Sequence, residues 1–173
     1  MKKILSARNL RFLFSLISVC VLGGVVSCDT LDDKRIPYAP VHLVFNSVAD
    51  WNTWGLGGAT DYKRFILTDN ERVPSGYPFT ILDRTGFGGL LLVEDVLGQV
   101  QVYDLACPVE CRPSVRVEVN SDSLAAVCPV CHSAYNVFSL YGHPISGPAA
   151  EKGYGLRRYS ATQGISPFMI ISN

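Results

Sequence analysis

The chain is predicted to fold as a small all-β domain, and three observations predict it. Short strand-like runs follow one another from Val41 to the C-terminal end, punctuated by Gly, Asn, Asp and Pro. Val115 to Val119 alternates apolar and polar residues cleanly, the two-residue period of a half-buried strand. No stretch sustains a long helical period, and no internal repeat is present.

In order, Val41 to Phe45 is the first strand and Tyr62 to Leu67 the second, after a Gly-rich turn at Gly55, Gly57 and Gly58. Asp50 to Thr60, with Trp51 and Trp54, resists assignment from sequence. Gly88 to Asp95 and Gly98 to Tyr103 read as a hairpin. Val100, Val102 and Leu105 against Gln99, Gln101 and Asp104 give only partial alternation, as a strand running from edge to core does. Asn120 to Asp122 turns the chain after Val119, Leu124 to Val127 returns it, and Arg157 to Ala161 and Phe168 to Ile171 supply closing strands.

With 173 residues and 48% apolar content, the chain is long enough for one real core. Its formal net charge of zero hides an asymmetry: four of the fifteen basic residues (Lys2, Lys3, Arg8, Arg11) precede Cys28, and none of the fifteen acidic ones does. Those four begin a leader whose apolar run, Phe12 to Val26, is short for a spanning helix. Val25-Val26-Ser27-Cys28 resembles a bacterial lipobox, which makes residues 1–27 a signal peptide and Cys28 the lipid attachment site. A retained transmembrane anchor is the alternative. Cys20 falls inside the discarded leader. Without the leader, eleven basic residues face fifteen acidic ones, a net −4, and no basic patch invites nucleic acid. Residues 28–40 are polar, hold two prolines and read as a tether, so that 41–173 form the single domain of an exported, membrane-anchored envelope protein.

The chemistry is concentrated between residues 105 and 148. Cys107-Pro-Val-Glu-Cys111 and Cys128-Pro-Val-Cys131 pair four thiols at C-x3-C and C-x2-C spacing, sixteen residues apart. Pro108 and Pro129 fix φ after the first thiol of each pair, so each pair can offer two sulfurs from one tight turn. Two such knuckles suit a single metal or cluster. Glu110 lies among them without a carboxylate partner for acid–base work. No nucleophile elbow, phosphate-binding glycine loop or HExxH motif occurs, so the chain reads as a carrier or accessory subunit rather than a catalyst.

The strand beginning Gly88-Gly-Leu-Leu-Leu-Val, the turn at Gly98, Tyr103-Asp-Leu-Ala-Cys107, Cys128-Pro-x-Cys-x-Ser133-x-Tyr135 and Ser146-Gly-Pro-Ala149 together resemble a Rieske domain. The resemblance spans about residues 80 to 162. It implies a β-sandwich base with a small two-loop metal-binding subdomain of rubredoxin or zinc-ribbon character, closed by a third loop, here Gly142 to Ala149. It also implies hydrogen bonds from Ser133 to a cluster sulfide and from Tyr135 to a ligand sulfur, which raise a reduction potential. The ligand pattern departs from the family. Cys107 and Cys128 match its cysteine ligands, but the two histidine positions hold Val109 and Cys131, and His132 replaces a usual glycine. The family's bridging disulfide has no counterpart at Arg112 and Val130.

Three chemistries remain for Cys107, Cys111, Cys128 and Cys131. An all-cysteine [2Fe–2S] cluster would transfer single electrons at a potential near about −400 mV. A zinc ion would clasp the two loops. Disulfides without metal would suit an oxidising envelope. His132 is a further ligand candidate, in a site of three cysteines and one histidine, or simply a loop residue. Arg8 and Arg11 are not adjacent, so the leader lacks the twin-arginine signature of folded export, which weighs against a cluster loaded in the cytoplasm.

Overall fold

The computed structural model describes residues 31–173; the stretch 1–27 expected to be a signal peptide, Cys28 expected to carry lipid, and Asp29 lie outside the described residues. The strands are β1 (Val41–Phe45), β2 (Tyr62–Leu67), β3 (Arg72–Val73), β4 (Arg84–Thr85), β5 (Leu90–Glu94) and β6 (Val100–Asp104). They continue with β7 (Glu118–Asn120), β8 (Ala125–Val127), β9 (Ala134–Asn136), β10 (His143–Ser146), β11 (Arg158–Gln163) and β12 (Met169–Ser172). Two short helices, α1 (Val48–Trp54) and α2 (Pro148–Lys152), complete the inventory. The fold is all-β, as the strand pattern predicts. None of the helices among the described residues is long and apolar enough to cross a membrane.

Eight strands form one sheet in the order β3-β2-β5-β6-β11-β12-β1-β4, and four form a smaller sheet, β10-β9-β8-β7. The large sheet curls until its ends approach, where Leu67 N donates to Thr85 Oγ1 at 3.1 Å across β2 and β4. β5 shows why the fold closes this way. Its first four residues are all buried, because successive side chains enter two different cores. Leu90 and Leu92 face the interior of the curled sheet beside Leu43, Phe45, Phe65 and Ile171. Leu91 and Val93 face a second core shared with Tyr103, Leu105, Val117, Tyr135 and Val137, and that second core contains Cys107 and Cys128.

The unassigned stretch around Trp51 contains α1. Ser47 and Asp50 cap it reciprocally, Ser47 Oγ accepting from Asp50 N and Asp50 Oδ2 from Ser47 N. Trp51 then meets Phe45 edge-on at 5.0 Å, and Trp54 meets Tyr77 at 5.6 Å, so both tryptophans border the first core.

Residues 31–40, expected to belong to a tether, lie along the domain. Asp32 bridges the turn after α2, its N–H bonding Gly153 O at 2.8 Å and its carbonyl accepting from Gly155 N at 3.0 Å. Ile36 is fully buried, and Arg157 Nη1 donates to its carbonyl at 2.7 Å. Composition concealed this because much of the docking uses backbone groups, and the segment offers only a few apolar side chains, Ile36 among them.

Candidate metal centre

Two hairpins present the cysteine loops side by side. In the first, the chain leaves β6 through Leu105 to Cys107 and returns through Val115 to Val117. Cys107 N donates to Val115 O at 2.9 Å and Val117 N to Leu105 O at 2.8 Å. The second is the β8–β9 hairpin, whose crest is Cys128 to Ser133. Arg116 braces the first hairpin on the large sheet, its Nη1 pairing with Glu71 Oε2 at 2.6 Å and its Nε donating to Gly88 O at 2.5 Å.

Asp104 locks the approach to Cys107. It is fully buried, at the end of β6 where the strand has passed from partly buried to buried residues. Oδ1 accepts from Gly88 N at 2.9 Å and Ala106 N at 2.8 Å; Oδ2 accepts from Phe87 N at 2.9 Å and the Tyr159 hydroxyl at 2.7 Å. Burial pushes its carboxyl upward, while these donors pull it back. The bridge requires Gly88, where a Cβ would stand 2.6 Å from Ala106 N. One polar residue on a strand gives no sequence signal of such a role.

Three of the four predicted ligands converge. The sulfurs of Cys107, Cys128 and Cys131 all lie within 4.8 Å of one another, with Cys107 and Cys131 Sγ 3.6 Å apart. Cys107 and Cys128 have no exposed surface and Cys131 is half-buried. Cys111 does not join them: its Sγ turns to the Pro108 carbonyl at 3.1 Å, with Arg35 O at 3.8 Å. The ligand set expected from spacing alone is therefore three-quarters assembled. The missing member sits at a corner with φ 49°, where the backbone has already turned away.

Ser133 and Tyr135 both lie beside the grouped thiols. Ser133 Oγ accepts from the Cys131 thiol at 3.2 Å and from Ala149 N at 3.0 Å, which ties the third loop to the second; with Cys131 ionised, the hydroxyl would donate to the sulfur instead. Tyr135 Oη is 3.6 Å from Cys107 Sγ. Both residues are fully buried. His132 is exposed and is not among the grouped ligands.

The thiols differ electrostatically. Burial pushes Cys107 up to about 12, against hydrogen bonds from the Glu110 and Val109 amides and from Tyr135. At Cys131 burial also opposes ionisation, but the Ser133 hydroxyl and amide, with Cys107 and Cys128, outweigh it and lower the thiol. Buried thiols with high proton affinity favour a bound cation, which holds them as thiolates without solvent. The donor set, three soft sulfurs with hydroxyl and amide donors aimed at them, fits an iron or zinc thiolate centre.

Fold and site together define an all-β protein with a thiol cluster between two loops. No protein-family model matches the chain, and no curated protein matches it. Among solved structures, it is similar to a ferredoxin of carbazole 1,9a-dioxygenase from Nocardioides aromaticivorans IC177. The two share 13% identity over 76% of this chain and 96% of that chain, with a TM-score of 0.40. A likeness of that degree settles neither family nor function.

Proposed function

We propose that the protein is a lipid-anchored protein of the bacterial cell envelope whose β domain carries a [2Fe–2S] cluster and passes single electrons to a protein partner. The observation that carries the reading is the meeting of Cys107, Cys128 and Cys131 from two separate loops, with Ser133 and Tyr135 directed at their sulfurs. Hydroxyl donors to sulfur stabilise the more negative, reduced state of an iron centre, whereas a purely mechanical clasp has no use for them. When bound, the cluster supplies a one-electron couple. The chain's own part is to hold the thiolates, to keep water from Cys107 and Cys128, and to donate hydrogen bonds from Ser133 and Tyr135. The Rieske resemblance supports the same reading.

A single zinc ion is the second reading, and it suits the mutual closeness of all three sulfurs, which lie within 4.8 Å of one another. Around a tetrahedral ion with metal–sulfur bonds of about 2.3 Å, ligand sulfurs stand about 3.8 Å apart, close to the 3.6 Å between Cys107 and Cys131. The experiment is the content of iron, acid-labile sulfide and zinc per chain in protein purified from its native envelope. About two irons with matching sulfide are expected. One zinc without iron would replace electron transfer by a structural clasp. Neither metal, with thiols that react only after reduction, would leave disulfides and overturn both readings.

A further inference from the structure

The two cysteine loops are backbone counterparts. In each, the first cysteine is followed by Pro and Val, and the fifth residue returns its N–H to the first cysteine's carbonyl. Cys111 N donates to Cys107 O at 2.9 Å, and His132 N to Cys128 O at 3.1 Å. In each, that fifth residue is left-handed, φ 49° at Cys111 and 57° at His132. Position by position, Pro108 therefore matches Pro129, Val109 matches Val130, Glu110 matches Cys131 and Cys111 matches His132. The thiol that the C-x3-C spacing offered as the fourth ligand is the counterpart of an exposed histidine at an outward corner.

The inward position of the first loop belongs to Glu110, and its carboxylate is occupied by Arg112 at 2.9 Å. Val109 packs on the core that holds Cys107 and Cys128, filling that side of the site without a donor atom. Among the described residues, no histidine, carboxylate or further cysteine joins the three sulfurs. Solvent has access from one side, because Cys131 is partly exposed while Cys107 and Cys128 are sealed. A tetrahedral centre with three protein ligands keeps a fourth position for a ligand from solution.

We infer that the centre is held by three thiolates, Cys107, Cys128 and Cys131, that Cys111 lies outside it, and that the remaining coordination position, on the Cys131 side, takes an exchangeable small thiol or anion. The inference rests on the metal-centre reading and applies whether the resident group contains iron or zinc. An exchangeable position makes the site a place where a soft ligand can bind, beyond holding two loops together.

The test uses Co2+ as the probe on the mature full-length protein stripped of metal under reducing conditions. Sulfur-to-cobalt charge-transfer absorption scales with the number of coordinated thiolates. Wild type, Cys111→Ser and Cys111→Gly are expected to bind one Co2+ with the same affinity and the same charge-transfer intensity. The glycine variant suits the left-handed φ, so a folding defect in the serine variant would not obscure the result. Cys131→Ser should lose about one third of that intensity or the ion itself. Added 2-mercaptoethanol or azide should shift the visible cobalt bands of wild type and of both Cys111 variants. Loss of one thiolate's intensity in both Cys111 variants, with wild type loaded, would make Cys111 the fourth ligand and overturn the inference. Bands indifferent to both added ligands would overturn the exchangeable position. If wild type itself takes up no Co2+, the inference is overturned, whereas the metal-centre reading stands or falls separately on the iron, sulfide and zinc content of the native protein.

Discussion

Asp104→Asn isolates the device that holds the first cysteine loop in place. The substitution keeps size and shape but converts Oδ2, which accepts from Phe87 N and the Tyr159 hydroxyl, into an NH2 donor. Oδ1 can still accept from Gly88 and Ala106. Tyr159 can turn its hydroxyl to accept instead; the Phe87 amide cannot, and it is left facing another donor. A hydrogen bond to a charged group contributes about 1.5–3 kcal/mol, and a buried orphaned donor costs about 1–3 kcal/mol. Relief from burying a charge offsets part of this, so the net loss is about 3 kcal/mol. In a domain of this size that corresponds to a fall in Tm of about 10 °C. Tyr159→Phe removes only the hydroxyl donor and should lose about 1 kcal/mol. The assay is thermal unfolding of the two variants and the double variant by circular dichroism, on metal-free protein so that ligand binding does not enter. The double variant should fall short of the sum, because both changes act on one hydrogen-bonded group. A Tm for Asp104→Asn equal to wild type would refute the reasoning, since a fully buried carboxylate with four donors cannot be replaced without effect if those bonds exist.

The strands that pattern reveals are those with one wet face or an uninterrupted apolar run. β1 alternates buried and partly buried residues over its whole length, and β5 announces itself by Leu90 to Val93, although which of two cores each leucine enters follows only from the curl of the sheet. Asp104 illustrates the opposite case. The partial alternation around it does not settle which side it takes, and its burial depends on Gly88 approaching Ala106, a contact between residues distant in sequence. The cysteine loops were legible as a pair because Pro and Cys repeat in both. Spacing alone counted Cys111 as a ligand; the handedness of its backbone, set by the return bond to Cys107 O, turns it outward. Residues 31–40 were opaque for a related reason: polar composition describes side chains, and this segment is held largely through its backbone. The Ser47–Asp50 cap was the one overlooked local signal, since it marks the start of α1 without any reference to tertiary structure.

Two further predictions concern the anchor and the alkaline limit of the fold. Cys28→Ser should leave the protein unlipidated and shift it from the membrane fraction to the soluble one; a variant that still sediments with membranes would favour a retained helix. The alkaline limit follows from four tyrosines whose hydroxyls resist ionisation. Burial is the largest cause at each, and Tyr77 is raised to about 12. Tyr103, Tyr135 and Tyr159 are raised as well, the last two also by neighbouring thiols and by Asp104 respectively. A folded pKa above the unfolded value near 10 contributes stability that is complete below pH 10 and is lost as pH rises, because the unfolded chain releases the proton first. Each such group steepens the loss by up to about 1.4 kcal/mol per pH unit, so the four together remove up to about 5.6 kcal/mol per unit above pH 10. That slope exhausts an ordinary folding free energy within about two pH units. Urea unfolding followed from pH 8 to 12 should therefore show a level midpoint up to about pH 10 and a steep fall beyond it. Tyr77→Phe should lessen the slope by about one group's share. A midpoint that stays level to pH 12 would mean that these hydroxyls ionise as freely in the folded domain as in the unfolded chain, and that the packing around Tyr103 and Tyr135 is looser than their complete burial requires.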